Sequence, residues 1–160
     1  MFALNQATRF GGSISLAEPL YQSDFHSMLR ATSCSFLGST SRSGGAFYAE
    51  YDRQIILTYC HVENNQADEN GGVAFLRQLA HMEVISSLVQ SNRASHGGAF
   101  YVKEEASLII EDSLIETCSS AGPSGLGGAV FLENYAALAV HGSSFKVHFH
   151  YTIRSNPFMY

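Results

Sequence analysis

Tryptophan is absent from this 160-residue chain, proline and cysteine occur three times each, and charged side chains make up only 14%. Each shortage excludes something. Three cysteines form no even disulfide framework and fit no zinc spacing. Lys and Arg are few and unclustered, and the formal net charge of −5 disfavours phosphate binding, so no nucleic-acid partner is expected. No apolar run is long enough to cross a bilayer as a helix. Met1-Phe2-Ala3-Leu4-Asn5 has neither the basic nor the apolar region of a signal peptide. Asn-x-Ser/Thr acceptors are missing too.

What remains is an ordinary folded composition, 46% hydrophobic, with 14 glycines. A chain of this length is expected to form one domain, residues 1–160. The glycines are not scattered. Gly-Gly pairs fall at 11–12, 44–45, 71–72, 97–98 and 127–128, at intervals of 33, 27, 26 and 30 residues. Such a period is the mark of a solenoid. A short apolar run follows each pair, as in Ala46-Phe47-Tyr48-Ala49 and Ala99-Phe100-Tyr101-Val102, and these read as strands.

Four further columns keep register across the five units. Apolar residues two apart come first: Leu29/Ala31, Ile55/Leu57, Met82/Val84, Leu108/Ile110 and Leu138/Val140. A small residue follows (Cys34, Cys60, Ser87, Ser113, Ser143), then an apolar one (Phe36, Val62, Val89, Ile115, Phe145). A small or polar position closes the set: Ser39, Asn65, Asn92, Cys118, His148. The three- and four-residue spacing of an α-solenoid is missing. The expected fold is all-β, a right-handed, single-stranded, pectin-lyase-like parallel β-helix of about five coils. Like residues would stack about 4.8 Å apart. Turn asparagines would bridge to the neighbouring coil. Glycine would allow a backbone barred to other residues and a close approach of the next strand.

Gly44-Gly45-Ala46-Phe47, Gly97-Gly98-Ala99-Phe100 and Gly127-Gly128-Ala129-Val130 resemble the Gly-Gly-Ala-Ile repeats of chlamydial polymorphic membrane proteins. Val62-Glu63-Asn64-Asn65 and Val89-Gln90-Ser91-Asn92 are similar to the Phe-x-x-Asn repeats of that family, with an aliphatic residue in place of Phe. Phe36 to Ser39 and Ile115 to Cys118 depart from it. The resemblance covers nearly the whole chain. It implies a β-helical surface protein, located at the cell surface or outside the cell, whose partners are proteins or glycans of a host or neighbouring cell. Phe2-Ala3-Leu4-Asn5 is itself a Phe-x-x-Asn, and it stands as far before Gly11 as Val62-Glu63-Asn64-Asn65 stands before Gly71. Met1 therefore falls inside a coil, and the chain reads as a piece of a longer solenoid. Residues 146–160 are a candidate C-terminal cap or tail, and end-to-end or edge self-association would follow from open coil ends.

Enzymes on this scaffold use clustered carboxylates, so the acids need weighing. Glu83 and Glu111 are expected to point outward from the second strand, with Asp112 at the following bend. Glu63 and Glu116 share a column with Gln90 and Lys146, which reads as a solvated polar face. His96 precedes a Gly-Gly pair and is similar to the histidine of the galacturonase Gly-His-Gly, although a turn role fits better. His148 and His150 lie two apart without a third ligand. No catalytic residue, metal site or cofactor is assigned. Cys34 and Cys60 stack in one column, as two buried thiols or as a disulfide, the thiols being favoured.

Both faces of the first strand are apolar. If Phe47, Phe100 and Val130 face inward, Tyr48, Phe75, Tyr101 and Phe131 form an outward aromatic column able to serve as a binding face. The opposite assignment is equally compatible with alternation, and either way one face must pack against something outside the repeat. The function expected is non-enzymatic: a stiff spacer and binding segment of an adhesin-like surface protein, with the turns Glu18 to Ser27 and Thr117 to Leu126 setting specificity. The alternatives are a pectin-lyase-like polysaccharide lyase or hydrolase, and a truncated fragment with no function of its own.

Overall fold

The structure, a computed structural model, describes residues 1–17, 27–121 and 125–146. The described residues form a parallel β-helix without a helical segment. One coil shows the plan. After Gly44-Gly45 come a first strand at Phe47–Ala49, a second at Gln54–Thr58, a third at His61–Glu63 and a fourth at Gln66–Asn70. Corresponding strands of successive coils pair in parallel, giving four sheets of five, five, six and four strands. About four turns close among the described residues, rather than five. The repeat columns count units begun, and the unit that opens at Gly127 is described only as far as the third-sheet strand Ser144–Lys146.

The register is that of the sequence columns. Ile55, Met82 and Leu108 stack in the second sheet, and Phe36, Val62, Val89 and Ile115 in the third. All of these are fully buried in one continuous core. Volumes compensate along a column: Ala74 lies between Phe47 and Phe100 in the first sheet, so two rings are separated by a methyl group. The first residues join the same scheme. Phe2–Ala3 pairs with Phe36–Leu37 in the third sheet, and the Phe2 ring stacks on Phe36 at 4.9 Å.

Among the described residues every corner is turned through the left-handed region. The first corner uses two in succession, Tyr51-Asp52, Gln78-Leu79, Glu104-Glu105 and Asn134-Tyr135. The Ala80 N–H donates to the Arg77 carbonyl at 3.2 Å across one of these, which makes it a type I′ turn. The second and third corners use one such residue each, for example Tyr59 and Asn64. At the fourth corner that residue is glycine in all five units. A Cβ on Gly44 would overlap the Phe47 carbonyl, and one on Gly45 would overlap the carbonyl of Gly72 in the next coil. The fourth strand was not foreseen. Gln66–Asn70 and its neighbours are polar and carry little apolar signal, so only backbone pairing defines them.

The turn asparagines bridge coils as expected. Asn65 Oδ1 accepts the Ser39 N–H and Asn92 Oδ1 accepts the Asn65 N–H, both at 2.9 Å. Their amide nitrogens donate to the Phe36 and Val62 carbonyls at 3.0 and 3.1 Å. The second corner does the same with hydroxyls: Ser87 Oγ accepts from Cys60 N–H, and Ser113 Oγ from Ser87 N–H. These ladders satisfy buried backbone groups that the corners would otherwise strand.

Candidate functional site

The first strand settles which rings face the core. Phe47 and Phe100 belong to it, whereas Tyr48, Phe75, Tyr101 and Phe131 form a separate cluster on the outer side of the sheet. This decides between the two assignments that alternation left open: the rings point outward, yet they are only 1–9% exposed. They make a second, small core. Phe10 stacks on Tyr48 at 4.2 Å, Leu126 packs against the cluster, and His96 lies 6.2 Å from Phe131. The covering residues precede the glycine pairs. On the other flank Lys103 sits over the Phe75 ring at 5.7 Å. The Tyr48 hydroxyl donates to Glu50, and burial together with that carboxylate pushes the phenol well above its ordinary range. Tyr101 is raised in the same way by burial and Glu133. A partner cannot reach these faces without displacing their cover.

The carboxylates singled out in the sequence stay apart. Glu83 and Glu111 occupy different outward rows of the second sheet, beside Ile109 and Ile85 respectively. Glu63, Gln90, Glu116 and Lys146 form one outward row of the third sheet. Asp112 turns the second corner with positive φ. His96 is a corner residue bridged to Asn70 and Leu126. His148 and His150 lie outside the described residues, as do 147–160 of the candidate cap and most of the Glu18 to Ser27 turn. Among the described residues no three His, Cys, Asp or Glu side chains converge as a metal-sized group. Cys34 and Cys60 stack at the second corner as thiols, each donating to the carbonyl two residues back, at 3.4 Å.

Two features of the outer surface were not read from the sequence. The stacked first corners make a ridge with a shallow groove lined by Tyr51, Asp52, Gln78, Leu79, Glu104 and Glu105. Large apolar side chains stand exposed along it, Tyr51 at 40%, Leu79 at 56% and Tyr135 at 85%. The second feature lies on the second sheet. His81 faces outward between Gln54 and Ser107 in one row, with Glu83 two residues on. Ser107 Oγ is 2.7 Å from His81 Nδ1, and His81 Nε2 is 3.1 Å from Glu83 Oε1. The 26-residue interval that sets Ser107 over His81 was the available signal.

No family model, curated protein or solved structure matches this chain.

Proposed function

We propose that this chain is a stiff, adhesin-like β-helix segment of a cell-surface or extracellular protein, acting as a spacer that displays a contact ridge. The observation that carries the reading is the row of first corners. A pair of left-handed residues turns the first corner in four successive units, yet the side chains presented there change from Tyr51-Asp52 to Gln78-Leu79, Glu104-Glu105 and Asn134-Tyr135. The backbone beneath is locked by coil-to-coil bonds such as Leu79 N–H to Glu104 carbonyl at 3.1 Å. A rigid edge with variable, partly aromatic side chains suits many weak contacts to a protein or glycan on another cell, because little ordering entropy is lost on binding.

In this reading the aromatic column of Tyr48, Phe75, Tyr101 and Phe131 stiffens the ridge from below, and Tyr51, Leu79 and Tyr135 make the contacts. The test is to challenge the immobilised chain with glycan and cell-surface-protein arrays, then repeat with Tyr51→Ala and Tyr135→Ala combined. A retained component that loses about tenfold in affinity in the double variant supports the reading. Equal binding by the variant, or retention of nothing, overturns it.

A further inference from the structure

The hydrogen-bonded row on the second sheet carries chemistry that a spacer does not need. A carboxylate can only accept, so His81 Nε2 must hold the hydrogen that bonds Glu83 at 3.1 Å. With that hydrogen on Nε2 and none on Nδ1, the ring offers Nδ1 as an acceptor, and Ser107 can donate its hydroxyl hydrogen across the 2.7 Å contact. Gln54 Nε2 also reaches Glu83, at 3.4 Å, and helps to hold the carboxylate in place. A hydroxyl, an imidazole base and an orienting carboxylate in this order form an activated nucleophile.

A comparable pair on the third sheet supplies an internal contrast. His61 and Glu63 have the same spacing, and Nε2 lies 3.2 Å from the carboxylate. That imidazole nitrogen lacks hydrogen-bond geometry, however, although the coils on either side place Ser35 and Leu88 beside His61. A histidine between a serine and a glutamate is thus not enough by itself, and the hydrogen-bonded geometry from Ser107 through His81 to Glu83 distinguishes the second sheet.

We propose that Ser107 is a reactive serine that takes an acyl group from activated acyl esters, with His81 as general base and Glu83 as a positioning residue. The row beyond Ser107 gives the acyl chain somewhere to lie: Ala137 follows Ser107 in the next coil, Ala139 follows Ile109, and Ala137 is exposed. Ser107 Oγ attacks the carbonyl carbon and its proton passes to His81 Nδ1. The bond to the leaving oxygen breaks, and that oxygen takes the proton from His81. The products are an acyl ester on Ser107 and a free alcohol. The sheet's backbone N–H groups are held in coil-to-coil ladders, such as Ser107 N–H to Ala80 carbonyl at 2.9 Å. No oxyanion hole is provided by that backbone, so esters with good leaving groups are the substrate class and the acyl-serine accumulates.

The experiment is to mix the full chain with p-nitrophenyl acetate, follow nitrophenol release, and map the acetyl group by peptide mass analysis. The expected result is a stoichiometric burst with acetyl on Ser107, about 10²-fold faster than in His81→Ala. Glu83→Gln should lower the limiting acylation rate about tenfold, with the half-saturating ester concentration and the melting temperature unchanged. All three side chains lie on the outer face, so the variants keep the core intact. A burst that persists in Ser107→Ala would make the imidazole itself the nucleophile and overturn the proposal. An acetyl group mapped elsewhere, or an unchanged rate in His81→Ala, would do the same.

Discussion

The first and fourth corners both bend the chain through left-handed residues, yet only the fourth is built from glycine. At the first corner Gln78 and Leu79 have φ of 52° and 66°, and the same strained geometry recurs in Tyr51-Asp52 and Glu104-Glu105. At the fourth, Gly44 has φ of 70°, which differs little from Leu79. Dihedral angle therefore does not separate them. Room does. The first corner is an outer ridge where a Cβ points to solvent, whereas the glycine pair is wedged among carbonyls of its own coil and the next. Strain from positive φ in a non-glycine residue costs about 1–2 kcal/mol and can be absorbed. Overlap with a neighbouring backbone cannot.

The contrast can be broken most sharply with Gly72→Ala. Its Cβ would collide with the Gly98 carbonyl and with the backbone of Arg93. The expected loss is about 4 kcal/mol or more, or failure to fold, read by denaturant unfolding. A third-corner substitution, Asn92→Ala, removes the acceptor for Asn65 N–H and the donor to the Val62 carbonyl, and should cost about 2–3 kcal/mol in the same assay. A result near zero would mean that the asparagine ladder is dispensable, and that glycine alone sets the coil.

Alkaline pH probes the same third corner without mutation. Burial pushes the Cys118 thiol from its ordinary 9.0 up to about 11. A raised folded-state value means that the stabilisation is fully present below pH 9 and is lost as pH climbs through about 11. Tyr48 and Tyr101, raised by burial and by their carboxylates, extend the loss to still higher pH. Cys118→Ala should flatten the first part of the profile, measured as melting temperature against pH. The smallest effect is expected at the first corner itself. Leu79→Gly relieves a positive φ but adds backbone freedom to the unfolded chain, so stability should rise by no more than about 1 kcal/mol. A large loss there would show that the ridge is as tightly built as the glycine corner.

The coil was legible because β-helix ladders repeat the same physical demand every turn. Ile55, Met82 and Leu108 share a column in the chain because they share one in space. The fourth strand was illegible for the opposite reason: Gln66–Asn70 pairs through its backbone and shows a mostly polar surface. Two apolar faces on the first strand implied a cover for one of them, but its source was not legible, because it comes from corner residues such as Phe10 and Leu126 that follow no column of one type. The Ser107–His81–Glu83 row is written in the 26-residue interval between coils, and no pairing of carboxylates along the chain carries it.

What the sequence determined by itself was the period, the all-β parallel solenoid and the inward columns of the second and third strands. Hydrophobic alternation and the steric demand for glycine act within one coil and recur in the next. What the tertiary structure alone decided was which face of the first strand meets the core and which corner residues cover the other. Both depend on the closing of four corners at once, and the angle at which a corner closes is written in no single column.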